Sequence, residues 1–280
     1  MRKAGDIMEI VWYGTASLSI KSGKDSILFD PFVPVKSSHI HTDISTYYSF
    51  ENIFVTHGHM DHISSIPEIW NVSHPHIYCT KTPYQSLKKF GVDEKSLYCV
   101  SPGQKIEIGS FLITAYPARH IRFDKELVET TLFNARIIEL KEDFLKEGIT
   151  HFRCPENHET LAYLVNIEGL SVFVLGSLGL LDEVDYPKGM DLLVLPYQGQ
   201  THLELPALEV IERLCPKNIL LDHFDDTFPP LSKTVDTSGI QEALVGLIPA
   251  IKPSHNMPME FNAESFGLLS SISTGNRKTY

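Results

Sequence analysis

Asn52-Ile53-Phe54-Val55-Thr56-His57-Gly58-His59-Met60-Asp61-His62 decides how the rest of the chain is read. Its first four residues, apolar from Ile53 to Val55, predict a short buried β-strand, and a helix is expected to start near Asp61 and run towards Trp70. Between strand and helix, His57, His59, Asp61 and His62 offer imidazole nitrogens and a carboxylate, which are the donors that zinc takes in catalytic sites. Spaced two apart on an extended loop, His57 and His59 face one point. Asp61 and His62, at the helix start, face a second, so a two-metal cluster is the expected geometry. A histidine-rich polar loop without function is the bland alternative, and this density of ligands directly after a buried strand argues against it.

Working outward, short β-rich runs are expected at Met8 to Tyr13, Ala16 to Lys21 and Ser26 to Phe29, the last ending in Asp30-Pro31. Lys81 to Phe90 predicts a helix, and Lys105 to Ile108 with Phe111 to Ala115 predict a hairpin just ahead of His120. The charged stretch from Asp124 to Pro155 reads as irregular, with one short helix. Further strands are expected at Leu161 to Ile167, Ser171 to Leu175, Leu192 to Leu195 and Asn218 to Leu221, the last delivering Asp222-His223. Helices are expected over Glu204 to Leu214 and between Ile240 and Ile251. Strands and helices in this order predict an α+β fold of two mixed β-sheets packed face to face with helices outside.

The 280 residues, 42% hydrophobic and 21% charged, carry no linker or repeat, so one domain over 1–280 is expected, ending in a helix and tail over 236–280. A net charge of −11 argues against nucleic acid as a partner, because that binding needs clustered Lys and Arg. The N-terminus lacks an apolar export segment and no long apolar run occurs, so the expectation is a cytoplasmic protein without membrane attachment, free to form a homo-oligomer. Cys79, Cys99, Cys154 and Cys215 lack CxxC spacing and are read as reduced, mostly core residues and not ligands.

The His-x-His-x-Asp-His segment after a strand resembles the first motif of the metallo-β-lactamase superfamily, and the resemblance runs from about Met8 to about Pro230. It implies the superfamily's four-layer αββα sandwich. It implies that His57, His59 and His120 hold one metal and that Asp61, His62 and His223 hold another, with Asp30 supporting the site from behind. One position departs from the pattern. The family's bridging aspartate has Ser177 in its place, which leaves three readings: a mononuclear enzyme, a binuclear one without that bridge, or an inactive protein. The binuclear reading is preferred, since some hydrolases of the superfamily carry Gly-Ser there with an ending like His223-Phe224-Asp225-Asp226.

The activity implied is a metal-dependent hydrolase using metal-bound hydroxide on a small-molecule ester, lactone or phosphodiester, in a branch resembling sugar-phosphate lactonases and phosphodiesterase-like members. Asp61 is expected to ligate and to orient the nucleophile. One or two zinc ions are expected, although iron, manganese and nickel also suit these donors. Asp225 and Asp226 are candidates to orient metal-bound histidines, with solvated loop carboxylates the even alternative. Arg119 is a candidate for an anionic substrate group, as are Arg122 and Lys125, for which an exposed charged loop is favoured. His202 lines the pocket or the surface. An iron-dependent oxidoreductase and a non-catalytic metal-stabilised binding domain are the competing classes.

Overall fold

The computed structural model describes residues 8–167, 169–261 and 266–268. The expected export-free N-terminus and the end of the tail, 1–7 and 269–280, lie outside the described residues. Two mixed sheets form the body. In the first, β1 (Met8–Gly14), β2 (Ser17–Ser22) and β3 (Asp25–Phe29) run antiparallel, and β4 (Asn52–Phe54), β5 (His76–Cys79) and β6 (Leu97–Cys99) continue parallel from β3. In the second, β7 (Lys105–Ile108), β8 (Phe111–Pro117), β9 (Leu161–Ile167) and β10 (Leu170–Leu175) are antiparallel. There β11 (Leu192–Pro196), β12 (Ile219–Asp222) and β13 (Ala250–Ile251) add in parallel. The chain then returns to the first sheet, where β14 (Pro258–Phe261) pairs with β1 and β15 (Phe266–Leu268) with β14.

Alternation of side chains along each strand explains the layering. One face of each sheet supplies Ile20, Phe29 and Phe54 on one side and Ile113, Val165 and Val174 on the other to a shared core. The opposite face of the first sheet packs Leu28, Ile53 and Ile77 against α1 (Met60–Ile63), α2 (Ile66–Ser73) and α3 (Lys81–Lys89) through Ile63, Ile66, Ile69 and Leu87. The second sheet does the same with α7 (Glu204–Leu214) and α8 (Ser238–Leu244), which follow the three helices α4 (Lys125–Leu132), α5 (Arg136–Glu139) and α6 (Lys141–Arg153) in the chain. Helix, sheet, sheet and helix are therefore stacked as expected for the α+β sandwich. No helix among the described residues is long and apolar enough to cross a membrane.

Three expectations change. The helix from Asp61 to Trp70 is two helices, interrupted at Ser64 and Ser65. The stretch from Asp124 to Pro155 is not irregular: it holds α4, α5 and α6, which bury a single side chain, Glu147. The last helix is shorter than expected, because Ala250 and Ile251 are drawn into the second sheet beside Ile219 and Leu220. Of the cysteines, Cys79 and Cys154 are buried, while Cys99 and Cys215 are exposed; all four are free thiols.

Candidate metal centre

Each candidate ligand sits where a strand of one sheet ends facing the other sheet. β4 runs out into Thr56 to His62, β8 into His120, and β12 into His223. Two tethers hold the sheets together there. Leu161 N–H donates to Thr56 O (2.8 Å) and Tyr163 Oη to Val55 O (2.9 Å). Gly58 has no room for a side chain, since a Cβ there would stand 2.2 Å from the Pro155 carbonyl oxygen. The loop between His57 and His59 is thus pressed against the chain that leaves α6.

The structure brings together both expected sets. His57, His59 and His120 form one group, and Asp61, His62 and His223 another, with the ligand atoms of each group within 4.8 Å of one another. Ring centroids of His57 and His120 are 4.9 Å apart, and those of His59 and His120 are 4.5 Å apart. The outer nitrogens of His57, His62 and His120 are occupied by the protein. His57 Nδ1 donates to Thr56 Oγ1 (3.1 Å), His62 Nδ1 to Asp30 Oδ2 (2.9 Å) and His120 Nδ1 to Ile121 O (2.7 Å). Each acceptor fixes a tautomer whose Nε2 lone pair is left for the centre, as in metal-binding histidines generally.

Asp30 is the hub of this network. Its carboxylate also accepts from Thr56 N (2.8 Å) and Thr56 Oγ1 (2.6 Å), so one buried group orients His62 directly and His57 through the threonine. Both Asp30 (φ 43°) and His223 (φ 58°) adopt left-handed backbone, a conformation disfavoured for side-chain-bearing residues and found where packing over-determines it. Ser17 Oγ donates to Asp30 O (2.7 Å) and His223 N–H donates to Thr15 O (2.9 Å), which hold the two turns in place.

The electrostatics fit a cation. Burial first, and then the neighbouring imidazoles, push the His57 pKa well down and that of His59 down to about 3, and burial also lowers His120. Three neutral rings therefore converge their lone pairs. Burial raises the Asp61 pKa, but His62 and His223 outweigh it and hold the carboxyl ionised. The opposite balance holds for His223, where burial is outweighed by Asp61 Oδ2 at 3.0 Å from Nε2 and the pKa rises to about 9. His223 Nδ1 is buried without a hydrogen-bond partner. The convergent neutral imidazoles of His57, His59 and His120 and the ionised carboxylate of Asp61 form a donor set suited to zinc or a similar divalent ion.

Seven expected residues take other partners or other places. Ser177, at the end of β10, lines the cavity, but its Oγ accepts from Ile121 N–H (3.0 Å) and so steadies the loop that carries His120. Asp225 accepts the Thr15 N–H with both oxygens (3.0 and 3.1 Å), and burial raises its pKa to about 6. Asp226 pairs with Arg136 at 2.7 Å and accepts from Ser232 Oγ. Neither orients a metal-site histidine: the left-handed turn at His223 sends the next residues behind the site. Arg119 and Arg122 line a separate cavity with Asp182, Glu209 and Arg213, and His202 is exposed away from the centre. Lys125 lies exposed on α4.

One histidine was missed. His151, on α6, lines the cavity with its ring 5.3 Å from that of His59. Its signal would have been the spacing of Glu147 and His151, one helical turn apart, had the segment been read as a helix.

Residues 26–224 match the family described as the beta-lactamase superfamily domain. A UPF0173 protein of Pyrococcus abyssi is 26% identical over 52% of this chain and 65% of its own, just under two thirds of that relative's length. A UPF0173 metal-dependent hydrolase of Archaeoglobus fulgidus is 23% identical over 81% of this chain and 87% of that protein. Among solved structures, a metallo hydrolase of Ignicoccus hospitalis shares 18% identity and superposes with a TM-score of 0.61 over 91% of this chain and 99% of that one.

Proposed function

The chain belongs to the beta-lactamase superfamily domain family, and from that premise we propose that it is a metal-dependent hydrolase of a small-molecule ester, lactone or phosphodiester, working with two metal ions, zinc being the ion its donors suit. One observation carries the reading: two sets of three ligand atoms, each set within 4.8 Å, lie side by side, and His59, His120, Asp61, His62 and His223 of them form the floor of one cavity. Relatives carrying the name metal-dependent hydrolase support the reaction class.

His57, His59 and His120 would hold one ion and Asp61, His62 and His223 the other. A metal in such a site lowers the pKa of a bound water towards neutrality and polarises the bond under attack. The remaining work belongs to the side chains. Asp61, held ionised, can orient the attacking water and take its proton at a carboxylate oxygen. Asp30 and Thr56 keep the His62 and His57 rings in the tautomers that ligate. His151, facing the cavity over His59, is placed to give a proton to a departing oxygen. α4 and α6 cover the floor and restrict water. The ester and lactone arms are favoured over the phosphodiester, because Arg119 and Arg122 line the separate cavity and Lys233 is the one Lys or Arg on this wall among the described residues.

Elemental analysis of the purified protein, alongside hydrolysis of p-nitrophenyl acetate, a simple lactone and bis(p-nitrophenyl) phosphate before and after chelation, tests the proposal. Expected are about two zinc equivalents, loss of metal in His57→Ala, and turnover that stops with chelator and returns with zinc. Turnover insensitive to chelation, or a protein that retains no metal, overturns it. A turnover loss in His151→Ala that is larger for alkoxide than for p-nitrophenolate leaving groups marks His151 as the proton donor.

A further inference from the structure

We infer that the cavity above the candidate ligands is a pocket for an apolar chain, so that the substrate cleaved there carries an acyl or alkyl chain next to the scissile bond; this rests on the hydrolase reading above. The cavity has a volume of about 280 Å³, and its floor is formed by His59, Asp61, His62, His120 and His223. Its walls are Ile121, Phe123, Leu127, Val128, Leu132 and Phe228. The apolar surface is thus continuous with the reacting centre and is not a patch elsewhere on the molecule.

α4 makes the case specific. Leu127, Val128, Thr131 and Leu132 are spaced one, four and five residues from the first, which puts them on one face of the helix. Amphipathic helices ordinarily bury such a stripe in the core, yet α4 buries no residue at all. The stripe faces the cavity instead. Phe123, Val128 and Leu132 remain 53%, 41% and 50% exposed, so each still has apolar surface that an occupant would remove from water.

The neighbouring cavity shows that this composition is a local choice. Barely past Ile121, it is lined by Arg119, Arg122, Asp182, Glu209 and Arg213. Charge available within a few residues has been kept off the wall over the metal ligands, where Lys233 is the one Lys or Arg among the described residues. A peptide or sugar substrate brings many donors and acceptors, and above the floor only Thr131, His151, Ser177, Gln198 and Lys233 among the lining side chains could answer them, so most of those groups would be left desolvated and unpaired. A volume near the lower end of small-molecule pockets, about 300 to 1,000 Å³, also excludes a folded partner. A hydrocarbon chain meets both conditions.

The test compares p-nitrophenyl acetate, butyrate and octanoate on the metal-loaded protein, with calorimetric binding of acetate and octanoate as a readout independent of turnover. While the chain is being buried, kcat/KM is expected to rise about fourfold per added methylene, and octanoate is expected to bind roughly a hundredfold more tightly than acetate or better. Val128→Asn and Leu132→Asn, both at half-exposed positions outside the core, are expected to flatten both dependences. Turnover with kcat/KM level or falling from acetate to octanoate, and no binding preference, overturns the inference and leaves the hydrolase reading standing. Tight, chain-dependent octanoate binding without turnover of any ester supports the pocket and overturns the hydrolase. Chain-length dependence that both variants leave untouched places the chain somewhere other than against α4 and overturns the inference as stated.

Discussion

Residues 56–62 and residues 123–153 line the same cavity, and they are held in opposite ways. In the first, Thr56, His57, Asp61 and His62 are buried, and their polar atoms close on one another around Asp30. In the second, three consecutive helices bury one side chain between them, while Phe133, Ile138 and Phe152 stand more than three-quarters exposed. The floor is over-determined and the cover lightly attached, a division that suits a site where ligand geometry must be rigid while substrate enters and leaves. Substitutions in the floor should therefore act on folding and metal affinity together. Those in the cover should act on the cavity and leave the fold alone.

Asp30→Ala should have the largest effect. It removes the acceptor of Thr56 N–H, Thr56 Oγ1–H and His62 Nδ1–H together, leaving three buried donors unpaired. About 3–5 kcal/mol of stability should be lost, read by urea unfolding, with metal affinity falling about 10- to 100-fold by competition with a chelator. A variant that loses metal affinity but keeps its unfolding midpoint would show that the carboxylate is not structural. Gly176→Ala follows. A Cβ there would stand 2.2 Å from Thr56 Cβ and 2.3 Å from its hydroxyl oxygen, and the displaced threonine should cost about 1–3 kcal/mol. A refined structure of the variant should show Thr56 shifted from Asp30; an unmoved Thr56 would contradict the account.

The cover's single buried residue inverts this logic. Glu147 has both carboxyl oxygens buried without hydrogen-bond partners, and burial, with Asp143 adding to it, raises its pKa to about 8 from an ordinary 4.5. Because the folded value lies above the unfolded one, its contribution is fully present below about pH 4.5 and fades as the pH climbs through 8. Glu147→Gln keeps the neutral shape, so it should be close to neutral at pH 4 and stabilising by about 1–3 kcal/mol at pH 9. Thermal melts across that range give the answer. A pH-independent difference between the two proteins would mean that the carboxyl finds a partner in solution.

The same contrast explains what could be read from the sequence. The loop with the candidate ligands was legible because its donors are neighbours in the chain and follow an apolar strand, and the distant candidates His120 and His223, which the structure places beside that loop, were reached through the order of the superfamily motifs. The strands of both sheets were legible where two faces are buried, as in Leu192 to Leu195. β5 and β6 were not, since His76 and Tyr98 face out and leave no clear run of apolar residues. The cover was illegible for a physical reason. Its apolar residues are interleaved with charge over three helices interrupted at 133–135 and 140, so no long apolar period marks one helix, and His151 was lost with it. Asp225 and Asp226 misled because adjacency to His223 in sequence suggested adjacency in space, which its left-handed turn undoes.

The smallest expected effect decides how far the two regions are separate. Arg136, on α5, donates to Asp226 Oδ2 (2.7 Å) and to Ser232 O (3.4 Å), tying the cover to the loop behind His223. The pair is partly open to water, at 32% and 19% exposure, and solvent screening should hold its worth to about 1 kcal/mol or less, falling further in salt. Arg136→Ala should then leave the urea midpoint of the whole protein almost unchanged. Hydrogen exchange should nonetheless quicken at the amides of α5 and α6, because a local opening needs only the local ties to break. Unchanged exchange in those helices would mean that the packing of α6 against α1 holds the cover without this pair. A fall in global stability as large as that of Asp30→Ala would show that floor and cover unfold as one cooperative unit, and the distinction drawn from their burial would not survive it.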